Sequence, residues 1–230
     1  VLVTTEGDRI GPVEHVVVTA PPAQAAELFD STGDAEAAAW AEDARSASVA
    51  PTWAAMFEFE DVEAPAGIGA DALLAEGHAI SWAARDASKP GRAPGDRWVV
   101  HASAAHSRDH LEADREEMAE RLLDDFRDLI ERAGGRVGTP RWSEAHRWRY
   151  ALAEEGPDGD CRVSASGLAW SGDAFDAAGR ARVEAAWLSG VAAAGRLLHR
   201  AVAGRPSPHP GQPDGARQGV ATSAQGSLFG

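Results

Sequence analysis

The sequence is poor in cysteine and in basic residues, and each shortage excludes a class of protein. The single cysteine, Cys161, has no partner for an internal disulfide, which favours a reducing cytoplasm and excludes a metal site built from several thiolates. Lys and Arg number 22 against 36 Asp and Glu, so the net charge of −14 repels a phosphate backbone and argues against nucleic-acid binding.

Long apolar runs and a signal peptide are also missing. No stretch is long enough to span a bilayer, so the sequence predicts a soluble protein without a membrane partner. The chain opens on Val1 rather than Met, without a basic segment followed by an apolar one. We therefore expect no secretory signal and a natural N-terminus that lies upstream.

The residues that are present allow a substantial core. A chain of 230 residues with 44% hydrophobic content fits one large domain or two small ones. Eight Trp against one Tyr is an unusual aromatic balance. It is compatible with a cavity for a flat ligand, and equally with tryptophan as core filling.

A strand, a turn and a helix follow one another in residues 168–195. A short apolar run ends at Gly172 and Asp173, and an Ala-rich helix begins near Val183. The first N–H groups of a helix suit an electron-rich ligand oxygen, and a carboxylate just past a strand can accept a hydrogen bond from a sugar-like hydroxyl. The segment fits a cofactor site, although an ordinary helix packed on a strand has the same pattern.

The same helix carries small residues at regular spacing. Ala186, Gly190 and Ala194 recur every four positions, which predicts one flat helix face able to lie very close to a sheet or to another helix.

A strand and a helix also meet near the start of the chain. Residues 16–20 predict a strand buried on both faces, and Pro21-Pro22 ends it before the helical residues 23–29. A strand-to-helix turn of this kind, here at Ala20 and Pro21, lies beside the nucleotide in many nucleotide-binding folds. A plain strand ended by proline fits the residues equally well.

The middle of the chain predicts a sheet covered by a long helix. Residues 78–85 and 97–103 are strand-like runs joined by a turn, and residues 53–60 alternate apolar and acidic side chains. Residues 107–133 carry the strongest helical periodicity and end at two glycines.

An aromatic ladder follows that helix. His146, Trp148 and Tyr150 alternate with Arg147 and Arg149, which predicts three rings on one face of a strand and two guanidinium groups on the other. The rings fit the wall of a pocket for a planar ligand, and they fit core packing as well.

Three segments together resemble the amine-oxidase-like FAD oxidoreductases, most closely their bacterial renalase-like group. The second flavin-contacting segment of that group resembles Ser171-Gly-Asp173 followed by Val183-Glu-Ala-Ala-Trp-Leu-Ser-Gly190. Its internal signature resembles Ser81-Trp-Ala-Ala-Arg-Asp-Ala-Ser-Lys-Pro-Gly-Arg92. Its next two strands resemble Trp98-Val-Val-His-Ala-Ser103 and His146-Arg-Trp-Arg-Tyr150.

The resemblance implies a fold and a division of the chain. We expect an α+β or α/β protein in which the remnant of a Rossmann-like FAD-binding domain joins a substrate domain with a mostly antiparallel sheet and a long covering helix. The implied parts are residues 1–45 and 167–203 for the FAD domain and 46–166 for the substrate domain, and the Pro-rich composition of residues 204–230 predicts a disordered tail. The G-x-G-x-x-G segment that holds the ADP half of FAD is missing. Gly67-Ile-Gly69-Ala-Asp-Ala72 does not replace it, because no buried strand precedes it.

The resemblance also implies a cofactor, a reaction and a site. Non-covalent FAD would accept a hydride from a carbon next to nitrogen, in a misreduced nicotinamide dinucleotide or an amine, and oxygen would be the electron acceptor. The expected cofactor-binding residues are Gly172, Asp173, Arg182, Val183, Glu184, Ala186, Ala20 and Pro21. The expected substrate pocket contains Trp82, Lys89, His101, His146, Trp148 and Tyr150. Lys89 also fits an exposed turn, and His101 a core position. No metal site and no catalytic acid or base are implied, and the oligomeric state stays open.

A second hypothesis is a fragment or binding module that neither binds flavin nor catalyses a reaction. The Pro-rich residues 204–230 cannot bury enough apolar surface to fold. They end on Gln225-Gly-Ser-Leu-Phe229, which resembles the short peptides that bind the bacterial sliding clamp, a match of only five residues.

Overall fold

The fold was analysed in a computed structural model that describes residues 1–59, 70–175 and 182–203, without the side chains of the last three. The expected disordered tail and its Gln225–Phe229 peptide lie outside these residues, as does the start of the Gly67–Ala72 motif.

The described residues form ten strands, five α-helices and two short 3₁₀ turns. In chain order the elements are β1 (Leu2–Val3), β2 (Arg9–Ile10), β3 (Val16–Val18), α1 (Pro22–Asp30), α2 (Ala35–Ser46), β4 (Ser48–Phe59), β5 (Ala72–Leu74), β6 (Ile80–Arg85), a 3₁₀ turn (Asp86–Ser88), β7 (Asp96–Ala102), α3 (Ala104–Asp109), α4 (Arg115–Arg132), β8 (Pro140–Glu155), β9 (Arg162–Val163), β10 (Leu168–Trp170), a 3₁₀ turn (Asp173–Phe175) and α5 (Val183–Ala203).

A three-stranded sheet joins the two ends of the chain in the order β3-β10-β9. The central strand β10 runs parallel to β3, with Leu168 opposite Val16 and Trp170 opposite Val18, and antiparallel to β9. The expected pairing of the two flanking segments is therefore confirmed. The division of the chain into domains at residues 45, 166 and 203 stays a prediction.

Helices cover both faces of this sheet. One face packs on α1 and α2 through a core that includes Phe29, Trp40 and Trp170. On the other face, Ala193 and Leu197 of α5 pack against Ala169 and Cys161. The start of α5 at Val183 confirms the helix expected there.

The expectation that β3 is buried on both faces is wrong. Val18 is 8% exposed and faces α1, whereas Val17 is 49% exposed. In the parallel pair Val17 lies beside Ala169 on the α5 side of the sheet. Because α5 packs on β9 and β10, it leaves the α5 side of the edge strand β3 open.

The larger sheet is antiparallel throughout, with the order β5-β6-β7-β4-β8. Helix α4 covers one face, where Phe57, Trp98, Leu122 and Phe126 belong to a single buried cluster. Phe57 and Phe59 are both buried, so the expected alternation at the end of β4 is confirmed. The mixed architecture of the two sheets confirms the α+β class.

The single helix expected over residues 107–133 is two helices, α3 and α4. Asp114 caps α4 by accepting a hydrogen bond from the backbone N–H of Glu116. The carbonyls of His110 and Leu111 accept hydrogen bonds from the side chains of Trp53 and Arg147. The break forms because tertiary partners and a strong N-cap compete with a continuous helix.

None of the helices in the described ranges combines the length and the apolar character needed to cross a membrane.

Candidate functional site

A small cleft lies where the two sheets meet, at the carboxyl ends of β3 and β10. It has a volume of about 80 Å³ and is lined by Ala20 and Pro21 on one side, Gly172 and Asp173 on the other, and Tyr150 of β8. Because β3 and β10 are parallel, the turns that follow them emerge at the same edge of the sheet. Ligands of parallel sheets bind in crevices of this kind. The structure thus brings together four of the expected cofactor residues and one of the expected pocket residues.

The C-terminal part of β8 reaches this cleft because the strand is irregular. The pairing of β4 with β8 shifts between Ala50, which lies opposite Leu152, and Thr52, which lies opposite Trp148. Tyr150 lies within that β-bulge, and Ala151 and Ala153 of the same segment also line the cleft. Bulges bend a strand and re-aim its side chains, and they are common next to active sites. Ala151 and Ala153 are not among the residues expected from the sequence, since the bulge that brings this segment to the cleft leaves little trace in a sequence.

The Asp173 carboxylate is available to a ligand. It lies in a 3₁₀ turn at the cleft and forms no hydrogen bond or ion pair with the parts of the chain that the structure describes. A free carboxylate here can accept a hydrogen bond from a ligand hydroxyl.

Ser189 links α5 to Gly172 in the cleft. Its hydroxyl, which is buried, accepts a hydrogen bond of 3.0 Å from the backbone N–H of Gly172. Sequence analysis missed this residue, since a serine within an Ala-rich helix gives no signal of its partner.

The first turn of α5 does not line the cleft. Arg182, Val183, Glu184 and Ala186 are all exposed, and Arg182 lies 3.7 Å from the Glu184 carboxylate. The residues that connect this turn to Asp173 lie outside the described ranges. A role for these four residues in cofactor binding stays a prediction.

The flat helix face expected at Ala186, Gly190 and Ala194 does not pack on the sheet. Ala186 and Ala194 are exposed, and a Cβ added to Gly190 would meet no heavy atom within 4 Å. The expectation is wrong because α5 packs through the neighbouring row of Ser189, Ala193 and Leu197, which also repeats every four residues.

Four side chains expected in the substrate pocket lie on the face of the large sheet opposite α4. Trp82, His101 and His146 belong to one cross-strand row, in which Ala54 separates the two histidines. Trp148 lies two residues further along β8 on the same face. The rings of Trp82 and His101 are 4.8 Å apart, and those of His146 and Trp148 are 4.6 Å apart. Trp148 is 55% exposed, so this aromatic face is open at the edge of the sheet.

The guanidinium groups of Arg147 and Arg149 lie on the opposite face, as expected. Arg147 and Arg149 both donate hydrogen bonds to Glu112, and Arg149 and Arg147 hold the pKa of Glu112 below its usual value. On the aromatic face, burial lowers the pKa of His101, which favours a neutral imidazole at neutral pH. The aromatic face therefore presents rings, among them the neutral imidazole of His101.

Lys89 lies apart from these residues. Its ammonium group is 3.4 Å from the Asp86 carboxylate in the turn after β6, and its side chain is 45% exposed. The structure does not bring Lys89 into contact with the cleft or with the aromatic rings. Cys161 is buried against Arg196, which donates a hydrogen bond to its sulfur, and burial raises the pKa of the thiol. Among the described residues, no group of three or more His, Cys, Asp or Glu side chains is placed to hold a metal ion.

Comparison with known protein families matches most of the chain to a group of flavoproteins. The family described as flavin containing amine oxidoreductase covers residues 1–198, which include both strands of the cleft, all of β8 and the first part of α5. The chain belongs to this family. The resemblance seen in the sequence is therefore confirmed at the level of the amine-oxidase-like flavoproteins, and a flavin cofactor follows from it.

Two solved structures share the fold. An oxidoreductase from Methanosarcina mazei has a TM-score of 0.55 and 19% identity over 82% of the chain. A protein assigned as a protoporphyrinogen oxidase from Exiguobacterium sp. 255-15 has a TM-score of 0.52 and 16% identity over 80% of the chain. The chain spans 44% and 41% of the lengths of these two proteins.

Proposed function

We propose that this chain forms part of an FAD-dependent oxidoreductase that oxidises a carbon–nitrogen substrate. The observation that carries the proposal is the cleft at the carboxyl ends of β3 and β10, which places Asp173 on one side and Tyr150 on the other. A flavin there would lie between the sheet that holds it and the sheet that presents the aromatic face.

The residues of the cleft fit one part of a flavin. The Asp173 carboxylate can accept a hydrogen bond from a ribityl hydroxyl. Ala20, Pro21 and Gly172 have small side chains or none, which leaves space for a flat ring. The enclosed volume of about 80 Å³ is below the roughly 300 to 1,000 Å³ of ordinary ligand pockets, so the described residues enclose only one edge of the ring system.

Bound flavin would supply the atom that accepts a hydride from the substrate. The protein's task is then to bind the substrate in a fixed position and to exclude water. Trp82 and Trp148 offer flat surfaces for a planar substrate, and the imidazole rings of His101 and His146 offer hydrogen bonds to its nitrogen atoms.

Three finer features belong to the same proposal. The substrate would be either a misreduced nicotinamide dinucleotide, as the resemblance of residues 81–92 to the renalase-like group implies, or an amine. Oxygen would be the final electron acceptor, taking two electrons and two protons to form hydrogen peroxide. The single buried cysteine agrees with a cytoplasmic location.

A binding module that does not catalyse a reaction is the second candidate. The small volume of the cleft favours it. Such a module would not bind flavin.

Titration of the purified chain with FAD, followed by flavin fluorescence, distinguishes the two candidates. Saturable binding is the expected result. Asp173→Ala should weaken it about 10- to 100-fold, because one hydrogen bond to a charged group is lost. Glu117→Ala, on the exposed face of α4, should leave it unchanged. If the parent chain does not bind FAD, the flavin site is not within this chain and the module is favoured.

A further inference from the structure

Helix α5 carries a row of apolar side chains on the side that faces away from the sheet. Trp187, Val191 and Leu198 are between 51% and 67% exposed, and Ala194 is exposed as well. These four residues, which we call the outer row, follow one another at intervals of four, three and four residues. This is the spacing of the seam along which two helices pack side by side.

The outer row lies on a face of α5 with little charge. Arg196 is held on the sheet side of the helix, where it donates hydrogen bonds to the carbonyl oxygen and the sulfur of Cys161. Arg200 lies on the same side and donates a hydrogen bond to the carbonyl oxygen of Ser164. Glu184 is the only acidic residue in the helix. In a chain with a net charge of −14, an exposed face of this composition indicates an interaction surface.

The apolar area is sufficient for two copies of the chain to pair. Val183 and Leu188, which are also exposed, flank the outer row. Together these side chains present roughly 500 Å² of apolar surface, and a stable interface buries about 1,000 Å² or more from its two partners combined. Two identical patches therefore meet the requirement.

We propose that this face of α5 binds the same face of a second copy of the chain, with the two helices antiparallel. In a pair with two-fold symmetry, each residue of the patch contacts a residue of the same patch. The register that places Val191 opposite Ala194 of the second copy also places Trp187 opposite Leu198. Each layer of the seam then combines a larger side chain with a smaller one, which favours even packing.

A parallel pair of helices would match less well. It would bring the two Trp187 rings into one layer and the two Ala194 methyl groups into another, and the second layer would be left with a gap. It would also place the two Glu184 residues at the same end and align the two helix dipoles, whereas antiparallel helices have opposed dipoles.

Sedimentation equilibrium of the whole chain over a range of concentrations, without flavin, tests the proposal. We expect the mass to rise from 24.1 kDa towards twice that value, with a dissociation constant on the order of 10 µM. Below about 1 µM the chain is then monomeric, so its unfolding can be measured without a contribution from the dimer. A mass that stays at the monomer value at every concentration overturns the proposal, and does so also if the chain binds lipid vesicles through this face.

Two variants with the same substitution locate the contact. Val191→Glu places a carboxylate in the middle of the seam and should weaken self-association about 100-fold or more. Val17→Glu, on β3, is the matched control, because Val17 is as exposed as Val191 but lies outside α5. It should leave self-association unchanged, and both variants should keep the circular dichroism of the parent. If Val191→Glu associates as strongly as Val17→Glu, the proposal is wrong.

Disulfide trapping tests the direction of the helices. Under mild oxidation, copies with Trp187→Cys should form disulfides with copies that carry Leu198→Cys, and neither variant should do so with itself. The natural Cys161 is buried and does not interfere. Disulfides formed only between identical copies overturn the antiparallel arrangement. Because no flavin is added in these experiments, their failure leaves the flavin proposal untouched.

Discussion

The two sheets of the molecule differ in how completely they are covered. The α4 face of the five-stranded sheet contains large residues, Phe57, Trp98 and Phe126 among them, and all three are fully buried. The three-stranded sheet packs on α5 through small side chains such as those of Ala169 and Ala193. Other apolar side chains of β3 and α5 stay exposed. The five-stranded sheet thus buries large side chains on its α4 face, whereas apolar side chains stay exposed around the α5 face of the three-stranded sheet.

The difference explains where the candidate site lies. The five-stranded sheet gives a frame for the aromatic face, and the parallel pair β3 and β10 gives an edge where the Asp173 carboxylate has no hydrogen-bond or ion-pair partner among the described residues. The cleft lies where the two meet, and the β-bulge around Tyr150 carries the first sheet into it.

The largest expected effect on stability concerns the α4 face of the five-stranded sheet. Phe126→Ala should lower the free energy of unfolding by about 3 to 5 kcal/mol, because it leaves a cavity among Phe57, Trp98 and Leu122. Trp187→Ala, which removes a ring that is 65% exposed on α5, should change it by less than about 1 kcal/mol. Urea unfolding of both variants measures the contrast. Equal losses would show that the two regions are equally well packed.

A smaller effect is expected where α5 meets the cleft. Ser189→Ala removes the acceptor of the Gly172 N–H and should cost about 1 to 3 kcal/mol, measured by urea unfolding. Gly190→Ala is the neighbouring control and should be neutral or stabilising, since its Cβ meets open space and alanine favours helix. A larger loss of unfolding free energy for Gly190→Ala than for Ser189→Ala would support the close helix packing expected from the sequence.

At the far end of the large sheet, Asp96→Asn should be stabilising. Burial raises the pKa of Asp96 above its unfolded value of 3.8, and the Trp98 and Arg85 contacts offset this only in part. Ionised Asp96 therefore costs stability once the pH has risen through the folded pKa. We expect Asp96→Asn to raise the free energy of unfolding at pH 7 by about 1 kcal/mol, and to have less effect at pH 3. Chemical unfolding at the two pH values checks this, and destabilisation at pH 7 would contradict it.

The smallest effect is a pH dependence on the aromatic face. Burial lowers the pKa of His101 below its ordinary value of 6.5, so the unfolded chain takes up a proton first as the pH falls. Stability is complete above pH 6.5 and is lost as the pH falls towards the folded pKa. His101→Gln should reduce the loss between pH 7 and pH 5 by less than about 1 kcal/mol. If the free energy of unfolding depends on pH in the same way in both proteins, His101 is protonated as readily in the folded chain as in the unfolded chain.

The sequence predicted most of the elements and part of the site. Periodicity indicated α4 and the strands of the large sheet, because binary patterns reflect which face of an element is buried. It missed the break at Asp114, which depends on hydrogen bonds from Trp53 and Arg147 that are distant in sequence. Periodicity also predicted the wrong packing face of α5. The row that contains Gly190 and the row that contains Ala193 both repeat every four residues, and only the tertiary structure decides between them.

Hydrogen exchange of the chain with and without FAD tests the central claim most directly, that flavin lies between the two sheets at the carboxyl ends of β3 and β10. We expect FAD to slow exchange at Gly172, Asp173 and Ala151, and to leave the amides from Arg85 to Asp96 unchanged. Protection confined to other parts of the chain, with none at Gly172 and Asp173, would contradict the account.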